Sequence, residues 1–313
     1  MCIFAKPVVS VSETRIFARP SGAGTQFLAY QMSYQSTDEN AMILPLPVRR
    51  SAGEQGVRFI DLQVYEEFFD DLEQGFPYLS PMISVGCSSA PAGNDMLAMG
   101  LTVFEVGNYV ASFVPTIEDF SRLDPQFTLP KTTWDLVPEY SDYGFAVFQL
   151  ANGASRPHPM AFEFETDSKS IYFPTLHIHD GQVHESEEFD HTLYMQHAGL
   201  DDAASGYVNY NVPDRNTGVV RSQNNAKDFC DTVKANGLLV GGLLVHKQII
   251  RGVHANQDTQ VLATGDPLKR SFNLRAWFKY APWLIGAAAV AWFFRRRNNV
   301  AKLQDSKNTG SEE

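Results

Sequence analysis

Three histidines fall within eight residues, His177, His179 and His184, in the run His-Ile-His-Asp-Gly-Gln-Val-His. Asp180-Gly181 between strand-like flanks predicts a two-residue hairpin loop, setting residue 179 against 182, 178 against 183 and 177 against 184. The three imidazoles then share one face, and Ile178 and Val183 share the other. Opposed residues on a hairpin have Cβ atoms about 4.5–5.5 Å apart, within reach of one ion. Three imidazoles with an open fourth position hold zinc in hydrolytic sites, where the metal-bound water is the nucleophile. The run therefore predicts a metal site at His177, His179 and His184, with zinc as cofactor. Glu187, Glu188, Asp190 or His191 would supply a further ligand or acceptor. No HExxH spacing is present, and a surface hairpin with a His-rich polar face is the competing reading.

Cys2 is the second candidate. With Met1 removed, its thiol would lie beside a free α-amine of pKa about 7.7–8.0, a base matched to activating a nucleophile. The start resembles that of N-terminal-nucleophile hydrolases over about the first twenty residues, which implies Cys2 as an amidohydrolase nucleophile. Ile3 replaces the glycine-containing start of the glutamine amidotransferases. Arg19-Pro20-Ser21 stands where bile-salt-hydrolase relatives carry Arg followed by Asn or Asp. A cysteine closing a first strand is the alternative. Gly86-Cys87-Ser88-Ser89 lacks the second glycine of a nucleophile elbow and reads as loop. The sequence contains no P-loop, dinucleotide fingerprint, CxxC pair or EF-hand pattern.

The elements that must position these residues are mostly strands. Leu28, Tyr30, Met32 and Tyr34 alternate with Ala29, Gln31 and Ser33, the period of a half-buried strand. Ala41 to Val48 is apolar enough for burial on both faces, with Pro45 and Pro47 expected to end its pairing. Arg58 to Tyr65 gives a third strand. A short helix follows, with Tyr65, Phe68, Phe69 and Leu72 inward, and Glu66, Glu67, Asp70, Asp71 and Glu73 as a solvated face. Gly107-Asn108 predicts a hairpin between Leu101–Val106 and Tyr109–Val114. Thr116 and Asp119 form a capping box. Phe145 to Leu150 resembles Phe27 to Met32, with Met160 and Met42 equally far downstream, which suggests a duplication and two similar lobes, 1–130 and 131–268. Ala226, Phe229, Cys230 and Val233 predict a helix closed by Asn236-Gly237, and Leu238 to Ile250 a late strand. Without βαβ alternation, the fold class is α+β with mainly antiparallel strands and a few short helices.

Formal net charge is −11, but residues 269–307 hold nine Lys and Arg against Asp305 alone. The acidic body, 1–268, repels phosphate backbones, which argues against nucleic acid as a partner. Cys2, Cys87 and Cys230 are too few for a disulfide framework. Residues 276–294 read AWFKYAPWLIGAAAVAWFF and are followed by Arg295, Arg296 and Arg297. That predicts a single-pass transmembrane helix contacting membrane lipid, with a basic, then polar tail at 295–313. The N-terminus lacks the pattern of a secretory signal peptide, which favours a cytosolic body, whereas Arg295 to Arg297 beyond the helix favour the opposite orientation, so the side of the membrane stays open.

The early Cys, Leu44-Pro45-Leu46-Pro47, Phe59-Ile60-Asp61-Leu62, the strand Gly144 to Leu150 and His158-Pro159-Met160 leading into Ala161 to Phe164 resemble the bacterial family of unknown function numbered 2330. The resemblance spans about the first two hundred residues and implies an exported, C-terminally anchored domain with no established activity. No catalytic residue is carried over from it. The expected function is a membrane-anchored binding or envelope-associated module whose protein or small-molecule partner is open. The alternatives are a metal-dependent hydrolase at the 177–184 hairpin and a Cys2 amidohydrolase.

Overall fold

The computed structural model describes residues 3–77, 101–107, 109–204 and 219–262. In chain order the strands are β1 (Ile3–Phe4), β2 (Ser10–Ser21), β3 (Thr25–Ser36), β4 (Asn40–Leu46), β5 (Val57–Ile60), β6 (Val103–Val106), β7 (Tyr109–Val114) and β8 (Gly144–Leu150). They continue as β9 (Gly153–Ser155), β10 (Met160–Glu165), β11 (Ser170–Phe173), β12 (Ser186–Met195), β13 (Val220–Asn225), β14 (Leu244–Ala255) and β15 (Thr259–Leu262). The α-helices are short: α1 (Phe68–Gln74), α2 (Lys131–Trp134) and α3 (Ala198–Ala204).

Two sheets form the centre. One runs β1-β4-β8-β7-β6; the other runs β13-β14-β12-β2-β3-β10-β5, with β9 beside β3. Alternation decides which side chains go between them. Leu28, Tyr30 and Met32 of β3 meet Met42 and Leu44 of β4, Phe148 of β8 and Phe162 of β10 in one core between the sheets. The opposite faces are covered too. Phe27 and Ala29 pack under α1, through Phe68, Phe69 and Leu72, and under the 226–245 segment. Ile43 and Phe145 lie under a layer made of 3₁₀ turns carrying Phe120 and Phe127 and of α2 carrying Trp134. This is why β3, expected to be half-buried, is buried on both faces from Gln26 to Met32.

β4 is buried throughout, as its composition predicts, yet its pairing does not stop at the prolines. Pro45 opposes Phe145 and Leu46 opposes Gly144. β1 reaches only Met42 and Ile43 on the other side, so the N–H that Pro45 lacks falls where β4 has no ladder partner among the described residues. The Gly107-Asn108 hairpin forms, with Val106 opposite Tyr109 and Gly107 at φ +60°. Gly144 is required by packing, since a Cβ there would come within 2.6 Å of the Phe113 ring.

Three expectations are corrected. Strands from both chain halves pair within both sheets (β4 with β8, β3 with β10, β2 with β12), so the two suggested lobes share one set of layers. The helix expected from Ala226 is only a 3₁₀ turn, Ala226–Asp228, followed by turns, and Val233 is exposed. The run breaks at Asp231, whose N–H donates to Tyr65 Oη and whose Oδ1 accepts from the Val233 and Lys234 amides. Finally, the fold class is strand-dominated without the transmembrane helix assigned to it. Among the described residues no helix is long and apolar enough to cross a membrane. The longest, α1 and α3, have seven residues each, about 10 Å against a hydrocarbon core of about 30 Å. Residues 276–294 lie outside the described residues, and the membrane assignment is withdrawn.

Candidate functional site

The segment 177–184 is not a hairpin. Ile178 instead bridges Ile3 in parallel, and Phe4 N–H donates to Ile178 O, so residues at the very start of the chain supply the partner. Asp180-Gly181 still turns, with Asp180 Oδ1 accepting from Gln182 N–H and Gly181 at φ +81°. Asn256 takes the role of the expected ladder. Its Oδ1 accepts from His177 N–H at 2.7 Å, and its Nδ2 donates to the carbonyls of His177 and His184 at 2.9 and 3.0 Å.

This pairing separates the three histidines. His177 and His179 are stacked with centroids 5.1 Å apart, and His191 of β12, not His184, is the third ring, 5.1 Å from His177. Phe189 lies 4.3 Å from His177, and Phe4 meets His179 edge-on. His184 stays at the surface with Asp180 at 3.0 Å and Glu187 at 4.0 Å, and the Asp180 hydrogen bond raises its pKa. Stacked imidazoles present faces to each other, whereas ligation needs ring edges converging on one ion. The residues do not fit zinc, and among the described residues no group of three His, Cys, Asp or Glu side chains is arranged to hold a metal.

Burial keeps His177 and His179 neutral. It lowers His177 far below the usual imidazole range and His179 to about 4. A folded pKa below the unfolded value of about 6.5 means that acid favours the unfolded chain. The stability is complete above pH 6.5 and is lost as pH falls toward 4. At about 1.4 kcal/mol per pKa unit, His179 alone should remove about 3 kcal/mol by pH 4. Unfolding free energies of the protein and of His179→Gln, compared from pH 7.5 to 4, should diverge by that amount. Parallel profiles would show that the ring reaches water.

Cys2, the other candidate, lies outside the described residues, as does Cys87. Cys230 is buried, which pushes its thiol up to about 12 and leaves it a packing residue. The acidic face of α1 is less solvated than its pattern suggests. Asp70 pairs with Arg15 at 2.5 Å and Arg156 at 3.4 Å, Asp71 accepts from Tyr65 Oη, and Glu73 meets buried Lys247.

A long ribbon is formed by β12 and β14. Ten consecutive residue pairs join them, from Ser186 opposite Ala255 to Met195 opposite His246. β2 covers the far side of β12 only from His191 to Met195, and β13 covers β14 only at Leu244, His246 and Lys247. Gln248 to Ala255 of β14 is therefore an open edge among the described residues. Opposed residues share a face, which puts Ile249, Arg251 and Val253 on the outer one beside Thr192, Asp190 and Glu188. Ile249 and Val253 are 45% and 74% exposed. Arg251 pairs with Asp190 at 3.4 Å, so Glu185, Glu187 and Glu188 leave the ribbon acidic. The period-2 alternation of 186–195 signals β12, but nothing local signals that most of β14 lacks a second neighbour among the described residues.

No family model and no curated protein matches the chain. Among solved structures it is similar to a crystal structure of baculovirus P35, at 14% identity over 84% of this chain and 99% of that one, with a TM-score of 0.43. A mutated baculovirus P35 after caspase cleavage gives 14% identity, 81% and 100% coverage and a TM-score of 0.42. P35 in its complex with caspase-8 gives 13% identity, 80% and 96% coverage and a TM-score of 0.41. At such TM-scores these are loose likenesses.

Proposed function

We propose that this chain is a protein-binding module that takes an extended segment of another protein along the open edge of β14. The observation that supports it is an edge of eight residues carrying exposed Ile249 and Val253. Edge strands present unpaired N–H and C=O groups, and natural proteins blunt them with lysine, proline or cover. Gln248 to Ala255 contains neither lysine nor proline, and its one charged side chain, Arg251, pairs with Asp190. An added strand would gain main-chain hydrogen bonds for affinity and apolar contacts four residues apart for specificity. Glu188, opposite Val253 on the same face, and exposed Glu185 beyond the strand end favour a partner segment with basic flanks, and a chain of net charge −11 disfavours a second copy of itself.

Extended peptides selected by display against the full chain should show apolar residues four apart with basic flanks. Ile249→Lys/Val253→Lys should weaken a selected peptide about tenfold or more, at about 1.4 kcal/mol per decade. On binding, the amides of 248–255 should gain protection from exchange. Peptides that bind the double variant as tightly would sink the reading. A dimer abolished by the same variant would make a second copy the occupant and overturn the assignment of a foreign partner.

A further inference from the structure

A second, unrelated feature lies where the end of β4, the end of β7 and the turn before β8 meet. There a cleft of about 250 Å³ is floored by Val48, Phe113, Pro115 and Tyr143 and rimmed by Arg49 and Arg50. Val48 and Phe113 are core residues, 8% and 5% exposed, so the floor is rigid and apolar. A cavity of about 150 Å³ holds one benzene ring, so this one has space for a single ring and a short arm.

The two arginines differ. Arg49 is held by Asp167 at 2.7 Å and Glu165 at 3.3 Å. Arg50 is 71% exposed and pairs with Asp142, itself 74% exposed, while also donating to Ser141 O. Such an exposed ion pair is weak enough to be exchanged for another carboxylate at little cost. We infer that the cleft binds a small arylcarboxylate, its ring on Phe113, Pro115 and Tyr143 and its carboxylate on Arg50 in place of Asp142. This site is independent of the β14 edge.

The probe is 4-fluorophenylacetate, followed by ¹⁹F line broadening in the presence of the full chain. A ligand of this size should bind with a dissociation constant on the order of 1 mM. The neutral isostere 2-(4-fluorophenyl)ethanol should bind at least fivefold more weakly. Arg50→Gln should weaken the acid about fivefold or more, whereas Asp142→Asn, by freeing Arg50, should strengthen it about threefold; both positions are exposed, so neither change threatens the fold. Opposite signs from the two halves of one ion pair would not arise from loss of structure. No broadening up to about 10 mM, equal binding of the isostere, or effects of the same sign in both variants would each overturn the assignment.

Discussion

Asp258→Ala should cost about 3–4 kcal/mol of unfolding free energy, because one carboxylate joins three parts of the molecule. Asp258 Oδ2 accepts from Tyr172 Oη at 2.5 Å and Tyr140 Oη at 2.7 Å, and Oδ1 accepts from the amides of Thr175 and Leu176 at 2.8 and 3.0 Å. Tyr140 belongs to the 3₁₀ layer, Tyr172 to β11, and Asp258 leads into β15, the partner of β11. The residue retains some surface exposure, but its carboxylate points inward, and desolvation is the main influence on it and raises its pKa. Alanine would leave the Tyr140 hydroxyl and the amides of Thr175 and Leu176 without the carboxylate that accepts from them. Tyr172 Oη keeps Pro45 O at 3.0 Å, which puts the estimate below a sum over four lost bonds. Asparagine retains an oxygen for the amides, and the phenols can rotate to accept from its NH₂, so Asp258→Asn should cost about half as much. Urea titrations of the three proteins test this ordering. A loss below about 1 kcal/mol for alanine would mean that water replaces the carboxylate.

Glu73→Ala should be comparably damaging, at about 3–5 kcal/mol, while Lys247→Met should cost only about 1–2 kcal/mol. The asymmetry follows from burial. Lys247 is 1% exposed, held by Glu73 at 2.8 and 2.9 Å and seated 4.4 Å over the Phe76 ring, and its burial lowers its pKa. Removing Glu73 would strand that ammonium and deprive Tyr194 Oη of its 2.5 Å acceptor. Removing Lys247 instead leaves a carboxylate that is 32% exposed and can be hydrated. The double variant Glu73→Leu/Lys247→Met should recover most of the loss, as a buried ion pair commonly can be replaced by apolar volume. A double-mutant cycle measured by unfolding decides the matter, and additive costs would refute the coupling.

These two clusters could not be read from sequence, and the reason is separation along the chain. Asp258 meets Tyr140 across 118 residues, and Glu73 meets Lys247 across 174. Local patterns carried further. The strand at β3, the two-faced burial of β4, the pairing of β6 with β7 and the apolar side of α1 all describe what the chain does with its nearest neighbours, and the structure keeps them, although β3 is covered on both faces. The 177–184 run shows where such reasoning fails. Asp-Gly specifies a turn but not the identity of the next strand, and Ile3 and Asn256 outcompeted His184 for the backbone of His177 to Ile178. The 226–236 segment has helical spacing, but Asp231 interrupts it: its N–H donates to Tyr65 Oη and its Oδ1 accepts from the Val233 and Lys234 amides, which starts a new turn. The β14 edge was illegible for a different reason, since exposure there depends on a strand that is not adjacent.

The parallel pairing of β2 with β12 has a consequence for how the chain reaches this state. Thr14 to Ala18 align with His191 to Met195, and β12 in turn relies on β14 as far as Ala255. During synthesis, β2 and β3 can form their own antiparallel pair early, but one flank of β2 must wait until well over half of the chain has been made. Closing so long a loop is entropically costly before its contacts reward it, and folds built on such pairings form slowly. Through that interval the apolar flank Ile16, Phe17 and Ala18 stays uncovered on a nascent polypeptide. A strand from beyond the midpoint of the sequence thus completes one of the first, and the order of translation leaves the β2–β3 hairpin waiting in a state that a chaperone would protect.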